Sequence, residues 1–137
     1  MIVMRVFLSY AQPDQALAKL LAKELKAEGI DVWVDFQELL PGDNWPLEIG
    51  RAMESCDAIV FLMTRSSVES DLFRSEIAFA LTGRRFKGRL IPVAMSSDIL
   101  DSDRIAWILR ELYWVIAPDI REAASQIKAA LLPARVG

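Results

Sequence analysis

The chain has no histidine and one cysteine, Cys56. Without imidazole there can be no His-based triad, no histidine general base and no histidine metal ligand. A lone cysteine excludes an intrachain disulfide and a cysteine-rich zinc site, and it fits a reduced, cytoplasmic setting. Positive charge is not in excess either. Sixteen Lys and Arg stand against 19 Asp and Glu, a formal net charge of −3. That balance argues against nucleic acid as a direct partner, because phosphates need cations to neutralise them. Long apolar runs are missing: Ala58 to Met63 falls far short of the ~18–20 residues that cross a bilayer. Met1 to Met4 is broken by Arg5 and lacks both a basic leader and a small-residue cleavage site, so it does not read as a signal peptide. No membrane partner is expected. No glycine-rich loop follows the first apolar run, which leaves neither a Walker A loop nor a dinucleotide fingerprint to be written there.

What is present is a chain of 137 residues, 53% hydrophobic, enough for one domain with a real core. Short apolar runs alternate with amphipathic stretches. Val6-Phe7-Leu8 reads as a buried strand. Pro13 and Asp14 start a helix to about Glu28, with Leu17, Leu20, Leu21 and Leu25 at three- and four-residue steps, and Gly29 stops it. Ile30 to Val34 is a second strand, and Asp35 to Asn44 a loop with Pro41-Gly42-Asp43-Asn44 as turn chemistry. A helix from Trp45 to Ser55 offers Leu47, Ile49 and Met53 to the core. Asp57 to Met63 is apolar enough for a strand buried on both faces. Thr64 to Glu69 reads as a polar loop. Ser70 or Asp71 caps a helix carrying Phe73, Ile77, Ala80 and Leu81, ending near Gly83. Leu90 to Ala94 is a fourth strand, and its Pro92 suggests a position off the sheet centre. A weak helix or loop spans 99–110. Leu112 to Ile116 is a fifth strand, and Asp119 caps a last helix to about Leu132.

Strands separated by helices imply parallel pairing through right-handed crossovers. The fold expected is α/β: a flavodoxin-like, doubly wound parallel sheet of about five strands flanked by helices. Ligands of such sheets sit beyond the carboxyl ends of the strands. Here those ends are Ser9-Tyr10-Ala11, Asp35-Phe36 with the following loop, and Thr64-Arg65-Ser66. A response-regulator receiver shares the topology but wants an acidic pair after the first strand and an aspartate closing the third. This chain has Ser9-Tyr10 and Met63-Thr64 there, so that reading fails.

Three segments carry a more specific likeness. Val6-Phe7-Leu8-Ser9-Tyr10 resembles box 1 of the Toll/interleukin-1 receptor (TIR) domains, of the bacterial kind. Asp35 followed by Leu39-Leu40-Pro41-Gly42 and Trp45 resembles their BB loop. Ser70-Asp71-Leu72-Phe73-Arg74-Ser75-Glu76 resembles the helix bearing the catalytic glutamate in members that hydrolyse NAD. The resemblance covers nearly the whole chain, so that residues 1–137 read as a single domain, either a whole protein or one domain of a longer one. It implies cleavage of the nicotinamide–ribose bond of NAD, giving nicotinamide and ADP-ribose or a cyclic isomer. It also implies activation by TIR–TIR self-association, in bacterial antiphage defence. NAD is then the substrate, and no further cofactor and no metal is implied. A non-enzymatic adaptor, recruiting partners through the same TIR–TIR contacts, is the alternative.

Glu76 decides between these. It is either a solvated helix glutamate paired with Arg74 or Arg84, or a carboxylate retuned by the apolar Phe73, Ile77 and Phe79 around it. Breaking the glycosidic bond of NAD releases a neutral pyridine and leaves oxocarbenium character on the ribose. A carboxylate can stabilise that charge and hold the ribose hydroxyls. Active relatives commonly carry a tryptophan one helical turn before the glutamate. Here that position is Leu72, beside Phe73, so apolar contact is kept and stacking is lost. Ser9 and Tyr10 are either a strand end with Tyr10 half exposed or contacts to the nucleotide. Asp35 is a turn residue or orients its loop, and Phe36 with the Leu40–Trp45 loop lines the nucleotide cleft. Pro41 and Gly42 set loop geometry. Trp45 packs the loop on its helix or lines the cleft. Trp33, Trp107 and Trp114 read as core or interface. Arg84, Arg85, Lys87 and Arg89 form a basic cluster, either a solvated helix end or a match for Asp101 and Asp103 of another copy.

Overall fold

β1 (Arg5–Ser9) sits inside a parallel sheet, paired on one side with β2 (Asp31–Val34) and on the other with β3 (Ala58–Leu62). β4 (Leu90–Ala94) and β5 (Val115–Ile116) continue the sheet, so that the strand order is β2-β1-β3-β4-β5. All pairings are parallel, and the fold is the flavodoxin-like α/β fold. The structure is a computed structural model that describes residues 4–34, 45–82, 89–101, 112 and 114–131. Within the helices the side chains at 45–49, 72, 73, 75, 76, 79 and 82 lie outside that description.

Five α-helices belong to the described residues: α1 (Gln15–Ala27), α2 (Trp45–Glu54), α3 (Arg65–Glu69), α4 (Asp71–Thr82) and α5 (Ile120–Leu131). Both faces of the sheet are covered, which is why its strands read as continuous apolar runs rather than alternating ones. Val6, Leu8, Val60 and Leu62 face one cluster, built with Ala18, Leu21, Ala22 and Leu25 of α1 and Ala123, Ala124, Ile127 and Leu131 of α5. Phe7, Ile59 and Phe61 face the other, with Met53 of α2 and Ile77 and Ala80 of α4. The Phe7 and Trp33 rings, opposite each other in the β1–β2 register, stack at 4.9 Å. Trp33 and Trp114 are partly buried against this second cluster, while Trp107 lies outside the described residues. Of the core contacts expected on α2, Met53 is fully buried, and the Leu47 and Ile49 side chains lie outside the description.

Four expectations change. Leu20 is 55% exposed. The buried stripe of α1 is Ala18, Leu21, Ala22 and Leu25, and Leu20 lies roughly 150° around the helix from its centre. Thr64 to Glu69 is not a loop but holds α3. β5 is two residues long rather than five. Tyr10, for which a half-exposed strand end was one of two readings, is 4% exposed and packs in the first cluster.

Other details follow their chemistry. Gly29 has φ +87°, and it ends α1 with two bonds, Gly29 N–H to Lys26 C=O and Ile30 N–H to Leu25 C=O, each 3.0 Å. That is a Schellman cap, and its apolar contact is the pair Ile30 and Leu25 in the core. Asp119 caps α5, its Oδ1 accepting the Glu122 N–H at 2.8 Å. β4 is one strand in from the edge, as its proline suggested. Arg89 and Val93 direct their carbonyls to β3, accepting from Ile59 and Met63. By alternation the nitrogen of Pro92 faces β5, whose ladder with β4 starts at Val93.

Candidate functional site at the carboxyl rim of the sheet

The direction of winding across the sheet reverses between β1 and β3, since β2 lies on one side of this pair and β4 on the other. The crevice beyond their carboxyl ends is where doubly wound sheets bind ligands. β1 delivers Ser9, fully buried, and then Tyr10 and Ala11, both nearly so. The chain leaves in an extended conformation at Ala11 and turns at once through a 3-10 segment, Gln12–Asp14, with Pro13 in its first turn. The Asp14 N–H closes that turn on the Ala11 carbonyl at 2.8 Å.

β3 delivers Thr64. Its extended backbone makes it the N-cap of α3. The Ser67 N–H donates to Thr64 Oγ1 at 3.1 Å, and the Thr64 N–H donates to Ser67 Oγ at 2.8 Å. This reciprocal capping box satisfies two backbone donors at once. Ser67 Oγ in turn donates to the Thr64 carbonyl at 2.9 Å, which accounts for a serine that is fully buried. The Thr64 hydroxyl has one more partner, and it crosses the crevice: Thr64 Oγ1 donates to Asp14 Oδ2 at 2.5 Å.

α3 hands directly to α4. The Ser70 N–H bonds the Ser67 carbonyl at 3.1 Å, and the Arg74 N–H bonds the Ser70 carbonyl at 3.0 Å. The Arg74 guanidinium pairs with the Asp71 carboxylate one turn before it. α4 packs against α2 and α3, with Ile77 and Ala80 buried beneath it. Glu76 occupies the turn between Arg74 and Ile77.

Beside this crevice, between α3 and the 3-10 segment Ser97–Asp101 that follows β4, lies a cavity of about 620 Å³. Met63, Val68 and Ile99 give it an apolar floor, and Arg65, Glu69, Asp98 and Asp101 stand at its mouth. Its volume is in the range of small-molecule sites. Of the strand-end residues singled out in the sequence, it takes in Thr64 and Arg65.

The sequence-predicted site residues therefore fall into three groups. Ser9 and Tyr10 are placed, buried, at the end of β1. Trp45 starts α2, and Leu72, Phe73 and Glu76 lie on α4, but their side chains are outside the described residues. Asp35, Phe36, Leu40, Pro41 and Gly42 are outside them altogether, as are Arg84, Arg85, Lys87 and Asp103. Ser67 and Asp14 escaped sequence reasoning as rim residues. The spacing Thr64-x-x-Ser67 is a capping pattern that could have revealed α3. Asp14 offered no such signal, because its partner is 50 residues away.

The one strongly displaced group among the described residues is the Cys56 thiol, pushed up to about 11 by burial, against a weaker opposing hydrogen bond from Ser55. It lies at the opposite end of the sheet, just before β3, and is an inert thiol, not a nucleophile.

A parallel five-stranded sheet with a crevice at its β1–β3 reversal defines a class, the flavodoxin-like α/β domains. Within it, residues 6–132 match the family described as TIR domain (TIR_2), and the chain belongs to the TIR-domain family. A curated relative, the uncharacterized protein y4cD of Sinorhizobium fredii, is 33% identical over 97 residues, which cover 67% of this chain. The match spans only 15% of that protein's length. Among solved structures, the TIR domain of the Toll-related receptor TRR-2 from Hydra magnipapillata is similar with a TM-score of 0.72 at 16% identity, covering 96% of this chain and 98% of that one. The TIR domains of the activated Roq1 resistosome, which directly recognises the pathogen effector XopQ, are similar with a TM-score of 0.56 at 19% identity, covering 94% and 84%. At these identities the two structures speak to the fold alone.

Proposed function

We propose that this TIR domain cleaves the bond between nicotinamide and ribose in NAD, with Glu76 as the catalytic carboxylate. The observation that carries the reading is the family match over residues 6–132 together with a glutamate on α4, the second helix after the carboxyl end of β3. The chemistry asks little of the protein. As the pyridine leaves, positive charge grows on the ribose, and a carboxylate beside it lowers the barrier while holding the ribose hydroxyls. Water, or a nucleophilic atom of the same nucleotide, then takes the anomeric carbon, giving ADP-ribose or a cyclic isomer. In this reading Asp35, Phe36, the 40–45 loop, Leu72 and Phe73 form the walls of the nucleotide cleft, and Ser9 and Tyr10, buried at the end of β1, form its backing.

Self-association completes the site, as the assembled TIR domains of a resistosome suggest. The reading places the domain in the cytoplasm, as a single module over residues 1–137, in antiphage immunity. Among the described residues no helix is long and apolar enough to cross a membrane. A second reading, a non-catalytic adaptor, is favoured by one observation: Leu72 stands where active relatives stack a tryptophan.

The experiment is incubation of concentrated or crowded protein with NAD, following nicotinamide release and the accompanying nucleotide. Wild type turns over; Glu76→Gln falls at least about a hundredfold, the scale on which charge-stabilising groups act, with an unchanged melting curve. Equal silence of wild type and variant under assembly conditions establishes the adaptor.

A further inference from the structure

We propose that Asp14 is a positioning residue, which sets the helix carrying Glu76 by fixing the hydroxyl of Thr64. The inference rests on the NAD-cleaving reading above and adds to it a residue remote from the glutamate in sequence.

The Thr64 hydroxyl has one proton and must also accept from the Ser67 N–H to cap α3. A hydroxyl rotor does both only if its proton is directed elsewhere. Asp14 Oδ2 takes that proton. The Thr64 lone pair is then left aimed at Ser67.

The rest is a continuous chain of hydrogen bonds. Asp14 holds Thr64, Thr64 and Ser67 cap each other, the Ser67 carbonyl takes the Ser70 N–H, and the Ser70 carbonyl takes the Arg74 N–H. Arg74 is two residues from Glu76. α3 is only five residues long, too short to persist without outside support, so the knot at its start decides where it lies. Asp14 is equally fixed at its own end, in the 3-10 turn four residues past Tyr10. One bond thus spans the two walls of the crevice, the β1 end and the α3–α4 unit, and sets the distance between them. A change of about 1 Å in such a distance costs up to about a hundredfold in rate.

The test pairs kinetics with hydrogen exchange on the full chain. Under assembly conditions, Asp14→Ala and Thr64→Val each lower kcat for nicotinamide release by about tenfold or more, with KM changed much less. Thr64→Ser, which keeps the hydroxyl, recovers most of what Thr64→Val loses. The double variant Asp14→Ala/Thr64→Val is no worse than the poorer single, because both remove the same bond. In Asp14→Ala the amides of 65–76 exchange at least about tenfold faster, while those of β1 and α5 keep their wild-type rates. Full kcat in Asp14→Ala, equal loss in Thr64→Ser and Thr64→Val, or multiplicative losses in the double variant overturns the proposal, as does unchanged exchange over 65–76. Wild-type protein silent toward NAD overturns the functional reading instead, and the exchange arm then decides whether Asp14 sets the helix.

Discussion

The two ends of the sheet are held together by different means. At the amino rim, Arg5 gathers the strands: its Nε pairs with Asp31 Oδ2 at 2.7 Å and its backbone N–H donates to Asp57 Oδ2 at 2.8 Å. Asp31 and Asp57 return bonds from their backbone nitrogens to the carbonyls of Met4 and Arg5. The Arg5–Asp31 pair is half exposed, 48% and 44%, and the carboxylate raises the guanidinium above its ordinary pKa, chiefly through that hydrogen bond. At the carboxyl rim the two walls are joined instead by a half-buried threonine, which bonds a buried serine on its own side and one aspartate on the other. The first arrangement joins neighbouring strands through solvent-screened charge. The second joins two crossovers through oriented hydroxyls, which lose more when one member is removed.

Several substitutions break or sharpen this contrast. The largest effect belongs to the strand that serves both rims: Phe61→Ala, emptying a fully buried site on β3, costs about 3–5 kcal/mol. In a urea melt both rims should be lost in one transition. Thr64→Val removes the α3 cap and the bond to Asp14 and costs about 1–2 kcal/mol, with little dependence on salt. Gly29→Ala forces an alanine into a left-handed conformation and costs about 1 kcal/mol, a backbone reference value at the amino end that removes no ion pair or side-chain hydrogen bond. Asp31→Asn at the amino rim costs less than about 1 kcal/mol, and the loss shrinks further as salt rises. If Asp31→Asn proves more damaging than Thr64→Val, the contrast between the rims is wrong.

Cys56 supplies a pH test at the amino end. Its thiol rises from an ordinary 9.0 to about 11 on burial. Above 9.0 the unfolded chain sheds this proton while the folded chain keeps it, so the unfolded state binds fewer protons. Stability then falls with increasing pH between these two values and is unaffected by this group below them. Cys56→Ala should flatten that part of the stability profile. At neutral pH a thiol reagent should label native protein no faster than it unfolds.

Much of the architecture was readable from residues 6–8, 58–63 and 90–94, because strands buried on both faces must be apolar throughout. The helix ends at Gly29 and Asp119 were equally readable, since one needs a positive φ and the other a side-chain acceptor. Leu20 misled because the stripe of α1 uses the small Ala18 and Ala22, which let the helix lie close to the sheet, and leaves a leucine outside. α3 was missed because it has no apolar period; it exists through its cap. At the candidate site, the order of strand ends was legible, whereas the Asp14–Thr64 bond was not. A contact across 50 residues leaves no trace in local spacing.

Pro92 has a consequence for the far half of the sheet. A fifth strand sliding toward the start of β4 would bring an acceptor opposite a ring nitrogen that carries no hydrogen. The slip therefore costs a bond that the observed alignment does not need. The imino acid biases the phase of the pairing: it favours a ladder that begins at Val93, and with it the point from which the C-terminal helix swings back to pack on α1.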